Sequence, residues 1–423
     1  MSDFHQYGSV ATLHRLRPID ARILEQQLYD EKASRPIALV LPCLISELER
    51  PALADIVEVL KDAEYISRVV VSLGRATRSQ FLYACEFFRK LKMPTTVLWI
   101  ESPRVQALMQ ELESNGLHVG APGKGRASWL AFGYVLALQS FEVIALHDCD
   151  ILTYDRDLLV RLCYPVGNPA LGYEFAKGYY SRVSDKLNGR VTRLFFTPLL
   201  RSLARVTGPH PLLTFLDSFR YPLAGEFAMA TDLARVNRIP GDWGLEVGVL
   251  SEVYRNLAER RVCQVDISDR YDHKHQLLDP HDAAAGLFKM AVDIAKNLFR
   301  NLAVEGVVLS TSQLHTLTIT YVRAAEEAIA RYHGDAAINH LPFDRHEESR
   351  AVDAFSRALR SASEQFLEDP LGIPLIPNWN RVDSALPDFL DRWREAIDGE
   401  QVDAEAALAN GERGSLDATA PAA

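Results

Sequence analysis

The sequence predicts an α/β protein whose core is an open, mostly parallel sheet flanked by helices, followed by a helical C-terminal region. Four short runs rich in valine, isoleucine and leucine follow residue 36, and such runs are typical of strands buried on both faces of a sheet. Longer segments with helical spacing separate these runs, which indicates parallel strands joined by helices. From about residue 281 to 395 the spacing is helical throughout.

The elements of the predicted sheet alternate in order along the chain. The first four strands are IALVLPCL, SRVVVSLG, TTVLWIES and FEVIALHD, and two later candidates are YEFAKGYY and VCQVDIS. The helices between the first four are LADIVEVLKDAEY, RSQFLYACEFFRKL, RVQALMQELESNG and GRASWLAFGYVLALQS. Ligands on open α/β sheets bind beyond the carboxyl ends of the strands, so we expect the functional site where the fourth strand ends.

The chain divides into four predicted parts. A polar leader (1–35) precedes the main α/β domain (36–280), and a helical region (281–397) follows it. The helices of this region are AAAGLFKMAVDIAKNLFRNLAVEG, TLTITYVRAAEEAIARY, RAVDAFSRALRSASEQFLE and PDFLDRWREAID. The last segment (398–423) is small, polar and acidic, and this composition predicts a disordered tail.

The composition is that of a globular protein with a sizeable core, since 48% of the residues are hydrophobic and 24% are charged. A net charge of -10 argues against a nucleic-acid partner, whose binding surface would be basic. The cysteines include no C-x-x-C pair, so we expect neither a disulfide framework nor a structural zinc site. No signal-like apolar segment opens the sequence and no apolar run is long enough to span a membrane, which indicates a cytoplasmic protein without a membrane partner.

The end of the fourth predicted strand carries two carboxylates, Asp148 and Asp150. In an extended chain both would face one space, whereas Cys149 would point into the core. Two carboxylates about 5 Å apart repel by roughly 3 kcal/mol at an effective dielectric constant of about 20, so a shared proton or a cation such as Mg2+ or Mn2+ must offset the repulsion. The alternative is that Asp150 caps the next helix and Asp148 accepts from backbone amides. A second D-x-D, at Asp155, lacks a preceding apolar strand and is interpreted as a helix start.

A glycine-rich turn lies just upstream, in GAPGKGRASWLAFGY. Lys124 sits in this turn, and an apolar helix follows. A lysine beside a helix N-terminus is a natural phosphate site. The spacing is not that of a Walker A loop. The alternative is an ordinary surface turn with a solvated lysine.

A third segment, SDKLNGRVTRLFFTPLL, combines a turn with two hydrogen-bond donors. Asn188 and Gly189 form the turn signal. Arg190 and Thr192 follow, and both can donate to a phosphate or a carboxylate. The alternative for Arg190 is a surface ion pair that contributes little stability.

Two later segments carry further titratable side chains. In DWGLEVGVL, Asp242 is a candidate helix cap and Glu246 lies in the first turn of that helix. In SDRYDHKHQ, His273 and His275 alternate after a predicted strand. One of these histidines could complete a metal site begun by the aspartates.

Taken in this order, the segments resemble the retaining glucosyl-3-phosphoglycerate synthases, which are nucleotide-sugar glycosyltransferases of the GT-A fold. The resemblance covers about residues 36–277, and its clearest segments are VLPCL, GKGRASW, HDCD, NGRVTRL, PLAGEFAMA, WGLEVGVL and DHKHQ. It implies a GT-A-type sheet with a nucleotide-binding half (36–155) and an acceptor half (156–280).

The resemblance also implies a role for individual residues. Those implied to bind the nucleotide-sugar are Pro42, Glu47, Ser72, Lys124, Asp148, Gly225 and Glu226. Those implied to bind the acceptor are Gly189, Arg190, Thr192 and His275. Those implied to hold a divalent cation, Mg2+ or Mn2+, are Asp148, Asp150 and His273. The implied catalytic residues are Glu246 and Asp150.

The implied reaction moves glucose, with retention of configuration, from a nucleotide-diphosphate glucose to 3-phosphoglycerate. A homodimer is implied in the same way. Two alternatives stay open. One is mannosyl transfer or glycerate as the acceptor, because the related mannosylglycerate synthases also have a long helical tail. The other is a non-catalytic scaffold that binds a sugar nucleotide.

Overall fold

The computed structural model describes residue 6 and residues 8–240, 244–272 and 286–416. Its strands are β1 (Ala11–Leu13), β2 (Ile37–Leu44), β3 (Ile66–Gly74), β4 (Thr95–Trp99), β5 (Val143–Leu146), β6 (Phe175–Tyr180), β7 (Phe227–Ala230) and β8 (Val262–Ser268). They form one eight-stranded sheet in the order β1-β8-β6-β7-β5-β2-β3-β4. Within the described residues β7 pairs antiparallel with β5 and β6, and the other pairings are parallel.

The parallel half of the sheet confirms the predicted strand and helix alternation. The helices that cover it are α2 (Pro51–Leu60), α3 (Arg78–Phe88), α4 (Pro103–Ser114), α5 (Lys124–Ala137) and α6 (Arg156–Gly167). Apolar side chains of α4 and α5 line one face of the sheet, and those of α2, α3 and α6 line the other. Strands covered on both faces can be apolar at every position, which is why β2 and β3 are near-continuous apolar runs.

Two strands were not predicted. The short strand β7 has only four residues and β1 has three, too few for a periodic pattern to stand out. The segment predicted as a polar leader that packs on the main domain contributes an edge strand, with Thr12 paired to Gln264 of β8. It also contributes α1 (Ala21–Asp30), which packs on α6 through Leu28 and Gly167.

The remaining helices follow β6. They are α7 (Thr197–Thr207), α8 (Pro211–Asp217), α9 (Thr231–Val236), α10 (Leu245–Asn256), α11 (Gly286–Val304), α12 (Thr311–Ile338), α13 (Arg345–Glu368), α14 (Trp379–Ala385) and α15 (Phe389–Ala409). The C-terminal helices, predicted from the sequence, share one core with α5, where the Trp379 ring stacks on Trp129 at 4.1 Å. Helices of the described chain are all too short or too polar to cross a membrane.

The prediction of a disordered tail from residue 398 is wrong for residues 398–409. Helix α15 continues to Ala409, with Ala404 and Ala407 buried against the α3 side of the sheet. The Gln401 amide accepts from Val97 N at 3.2 Å and donates to Val97 O at 3.0 Å, so it satisfies the free edge of β4. Small residues dominate here because the helix packs close to the sheet. Composition alone cannot distinguish this case from disorder.

Candidate active site

The first D-x-D lies directly beyond the end of β5. Asp148 and Asp150 are half-buried and Cys149 is buried, as predicted. The N-cap of α6 is Asp155, whose carboxylate accepts from Leu158 N at 2.8 Å. The second D-x-D is therefore the helix start, as predicted. The alternative in which Asp150 caps that helix is wrong.

Lys124 joins the D-x-D to the first turn of α10. It is the first residue of α5, and its Nζ lies 2.6 Å from Asp148 Oδ1 and 3.3 Å from Glu246 Oε1. Burial alone would lower the pKa of Lys124, but the carboxylates of Asp148 and Glu246 outweigh it and hold the pKa above its usual value. The alternative of a solvated surface lysine is therefore wrong, because the ammonium group is the centre of an acidic cluster.

Gly225 makes room for this ion pair. A Cβ atom built on Gly225 would lie 2.6 Å from Lys124 Nζ and 2.7 Å from Asp148 Oδ2. A side chain here would therefore displace the ends of Lys124 and Asp148. The backbone before β7 thus packs directly against the charged groups, which is one reason for a glycine at a close approach.

Glu226 lies beneath the same cluster and is fully buried. Its carboxylate accepts from Tyr180 Oη at 2.9 Å and from Tyr271 Oη at 2.5 Å, and the two tyrosine rings stack at 3.6 Å. Burial, together with the nearby charge of Asp148, raises the pKa of Glu226. The tyrosines fix this carboxylate and keep its oxygens paired.

The charges of the site favour a cation. Three carboxylates, those of Asp148, Glu226 and Glu246, lie around Lys124, and Asp150 follows Asp148 at the same strand end. Carboxylate oxygens are the ligands that Mg2+ and Mn2+ prefer, so the aspartates at this strand end have the right chemistry for a divalent ion. The described residues alone do not assemble three potential metal ligands in one group.

The two predicted histidines, His273 and His275, lie outside the described residues, as does the predicted helix cap Asp242. Asp272 is the last described residue before them. Its carbonyl accepts from Leu152 N at 2.9 Å, two positions beyond Asp150. The segment that follows β8 therefore contacts the chain just after the D-x-D.

The predicted acceptor segment is a tight turn followed by a π-helical segment, Val191–Phe196. Gly189 has a φ of 73°, a left-handed conformation that favours glycine. Arg190 lies 2.8 Å from Glu347 and 2.8 Å from Glu348 of α13. Glu348 is buried, so this is not the surface pair that the alternative described. Thr192 is buried, and its Oγ1 has no partner in the described part of the chain.

Three residues implied to bind the nucleotide-sugar lie in or just after β2 and β3, namely Pro42, Glu47 and Ser72. Pro42 and Ser72 are paired residues inside β2 and β3, as the predicted strands IALVLPCL and SRVVVSLG already place them. The Ser72 hydroxyl is fully buried and donates to Ala127 O of α5 at 2.8 Å. Glu47 lies in a short helical turn, Ile45–Glu49, beside Arg50.

Sequence reasoning missed three buried groups of the site. They are Lys177, Tyr180 and Tyr271. The Nζ of Lys177 donates to Ala224 O, next to Gly225. These residues are polar positions in or beside strands β6 and β8, and a lysine within the run FAKGYY is the one signal that could have indicated them.

A mostly parallel sheet with an acidic cluster and a phosphate-type lysine at its carboxyl edge has the features of a sugar-nucleotide glycosyltransferase of the GT-A type. No family model matches the chain. It is 46% identical over 403 residues to a glucosyl-3-phosphoglycerate synthase of Persephonella marina, covering 95% of this chain and 100% of the relative. The synthase of Methanococcoides burtonii is 41% identical over 400 residues, which cover 93% of this chain and 97% of that relative. The chain belongs to the glucosyl-3-phosphoglycerate synthase family.

The fold agrees with a solved structure of the same family. The glucosyl-3-phosphoglycerate synthase of Mycobacterium tuberculosis, in complex with Mg2+ and uridine diphosphate, superposes with a TM-score of 0.50 at 24% identity. The match covers 71% of this chain and 88% of that chain. The GT-A-type fold predicted from the sequence is therefore confirmed.

Proposed function

We propose that this chain is a retaining glycosyltransferase that moves glucose from a nucleotide-diphosphate glucose to 3-phosphoglycerate. One observation carries the proposal: a relative named for this reaction matches 95% of the chain at 46% identity. The cluster of Lys124, Asp148 and Glu246 at the carboxyl edge of the sheet supports it. In the proposal, residues 36–155 bind the nucleotide and residues 156–280 bind the acceptor.

Lys124 is the proposed ligand of the donor diphosphate. Its ammonium group contacts two carboxylates, and the donor diphosphate, with one negative charge on each phosphate, would offer it further charged acceptors. The free amides at the start of α5 add donors beside it. The M. tuberculosis synthase has been solved with Mn2+, uridine-diphosphate-glucose and phosphoglyceric acid together, which supports a site that holds donor and acceptor at once.

The proposed metal site consists of Asp148, Asp150 and His273. The excess of carboxylates around Lys124 supports it, because an added divalent charge would relieve their repulsion. When bound, the cation supplies positive charge that stabilises a departing diphosphate. The choice between Mg2+ and Mn2+ rests on no residue of this chain, and both ions accompany uridine diphosphate in solved relatives.

The acceptor is proposed to bind at Gly189, Arg190, Thr192 and His275. Arg190 keeps donors for an anion even while it contacts α13. Its partner Glu347 is 56% exposed and can release it at small cost, whereas Glu348 is 5% exposed and holds the base of the side chain. Binding both substrates in fixed orientation would supply much of the rate.

Retention without a covalent intermediate is the proposed route. A double displacement would need a free carboxylate beside the sugar. Glu226 is fully buried and paired to two tyrosines, and Glu246 is paired to Lys124. We therefore propose that the acceptor hydroxyl attacks from the face that the diphosphate leaves, and that the departing phosphate accepts its proton. Glu246 then orients the sugar or the acceptor.

A donor-by-acceptor screen tests the proposal. Purified protein is incubated with UDP-glucose, GDP-glucose, ADP-glucose or GDP-mannose against 3-phosphoglycerate or glycerate, with and without Mn2+, and products are followed by mass spectrometry and anomeric proton NMR. We expect glucosyl-3-phosphoglycerate of retained configuration only with the ion. Lys124→Ala should abolish it, and Lys90→Ala, at an exposed position on the far side of the sheet, should not. Transfer of mannose alone would indicate the sister activity, and no transfer with any pair would favour the scaffold.

A homodimer in the cytoplasm is proposed as well. The dimer is supported by large apolar side chains that α12 leaves exposed, with Ile319 at 74% and Ile338 at 81%. Size-exclusion chromatography with light scattering should give twice the chain mass of 47.4 kDa. Elution at the mass of one chain at micromolar and higher protein concentrations would contradict the dimer.

A further inference from the structure

We propose that Arg182 binds an anionic group of the acceptor, its phosphate or its carboxylate. This inference rests on the proposed function, and it adds a residue to the acceptor site. Arg182 lies two positions after β6, in the loop that leads to Gly189. It belongs to no motif that carries the family resemblance.

The position of Arg182 connects the acidic cluster to the acceptor segment. Its Nη1 donates to Tyr221 Oη at 3.3 Å. The Tyr221 ring lies 5.0 Å from that of Tyr180, whose hydroxyl donates to Glu226. On the other side, a Cβ built on Gly189 would lie 3.6 Å from Arg182 Cδ and 3.3 Å from Tyr221 Oη. Arg182 thus stands between the proposed donor-sugar site and the turn proposed to bind the acceptor.

Among the described residues, no carboxylate pairs with the charge of Arg182. In the described part of the chain it forms no ion pair, and its Nε is buried without a hydrogen-bond partner. The neighbouring arginines differ, because Arg190 and Arg193 both contact Glu348 of α13. A partly desolvated guanidinium with one weak hydrogen bond retains four of its five N–H donors, and an anion is the partner that satisfies them best.

A structural role for the side chain is not required to close its loop. The loop is held by main-chain bonds, with Asn188 N donating to Arg182 O at 2.9 Å. A further bridge joins Val183 and Leu187. These contacts survive any substitution of the side chain, so variants at this position should keep the loop and the fold.

The test compares Arg182→Ala and Arg182→Lys with the wild-type enzyme on three acceptors. These are 3-phosphoglycerate, glycerate, which lacks the phosphate, and glycerol 3-phosphate, which lacks the carboxylate. For Arg182→Ala we expect the KM for 3-phosphoglycerate to rise roughly ten- to a hundredfold, with the donor KM within about twofold of wild type. Arg182→Lys should recover part of the loss. Arg323→Ala, at a 71% exposed position on α12, is the matched control and should leave both constants unchanged.

The two smaller acceptors identify the anion that Arg182 binds. A loss seen with glycerol 3-phosphate but not with glycerate assigns the phosphate, and the reverse assigns the carboxylate. An unchanged KM for all three acceptors in Arg182→Ala overturns the inference while the proposed function stands. Calorimetric titration of 3-phosphoglycerate into wild type and Arg182→Ala, with UDP and Mn2+ present, measures the acceptor Kd of each protein. The ratio of the two Kd values tests the role of Arg182 without turnover. If wild type binds the acceptor but transfers no sugar, the proposed function fails. The ratio of the acceptor Kd values then tests the inference about Arg182 by itself.

Discussion

At the scale of single residues, the site depends on how tightly charge is packed beside backbone. Gly225 is in contact range of both members of the Lys124–Asp148 pair, and Glu226, the next residue, is locked by two tyrosines. The sequence could indicate Asp148 because it follows an apolar strand, Lys124 because it lies in a glycine-rich turn, and Glu246 because it lies in the first turn of a predicted helix. It could not indicate Tyr180, in β6, or Tyr271, just after β8, since aromatic residues in or beside a buried strand look like ordinary core.

Replacing Gly225 by alanine should impair activity without destabilising the fold. The new methyl group would displace Lys124 Nζ and Asp148 Oδ2, which are the ends of side chains that can move aside. We expect Gly225→Ala to lower kcat/KM at least tenfold and to shift Tm by no more than about 2 °C. Gly334→Ala is the control, because a Cβ there, on α12, has no neighbour within 4 Å. Equal activity of the two variants would contradict the proposed role of the ion pair.

Lys177 gives a prediction about pH. Burial lowers its pKa from 10.5 to about 8, although nearby carboxylates partly oppose the shift. Between these values the unfolded chain holds the proton and the folded chain has released it, so the free energy of unfolding rises with pH across this window. The full difference is of the order of 3 kcal/mol. Between pH 8 and pH 10, urea unfolding should show a larger increase in the free energy of unfolding for wild type than for Lys177→Met. Equal increases in the two proteins would refute the lowered pKa of Lys177.

At the scale of elements, β2 to β5 and their helices follow from the sequence because each is long enough to show its period. The short strands β1 and β7 do not. Each is a strand because it pairs with neighbouring strands of the sheet, so tertiary contacts determine its conformation. Helix α15 is the opposite case: its alanines predict helix and disorder equally well, and only the sheet beneath them decides.

Helix α15 should be a required part of the fold. Ala404 is 2% exposed and Val402, on the opposite side of the same helix, is 63% exposed. Ala404→Asp buries a charge without a partner, so we expect Tm to fall by roughly 3 to 8 °C, whereas Val402→Asp should change it by less than about 1 °C. Thermal unfolding followed by circular dichroism measures both. A similar Tm for the two variants would restore the prediction of a disordered tail.

At the scale of the whole molecule, the C-terminal helices and the α/β domain share a core and an ion-pair network. Glu348 of α13 is the buried centre of that network and contacts Arg190 and Arg193, both in the segment proposed to hold the acceptor. The sequence predicted the helices from their spacing. It could not predict that they supply counter-charges to the site, because more than 150 positions separate the partners.

Removing the charge of Glu348 should weaken both stability and acceptor binding. Glu348→Gln leaves Arg193, which is 8% exposed, without a buried counter-ion, and this costs about 3 kcal/mol of unfolding free energy. We also expect a higher acceptor KM, since Arg190 loses its orientation. Urea unfolding and acceptor kinetics measure the two effects. Glu364→Gln, at an exposed position of the same helix, should stay within about 0.5 kcal/mol of wild type. Indistinguishable behaviour of the two variants would disprove the coupling.

The central claim is that the donor diphosphate and its cation bind where Lys124, Asp148 and Asp150 meet. Crystals grown with UDP-glucose and Mn2+, and measured at the manganese absorption edge, locate the metal by its anomalous signal. The account predicts one strong peak at the D-x-D, with a carboxylate oxygen of Asp150 at about 2.0 to 2.3 Å and the diphosphate beside Lys124. A nucleotide bound elsewhere, with no manganese peak at the D-x-D, would contradict it.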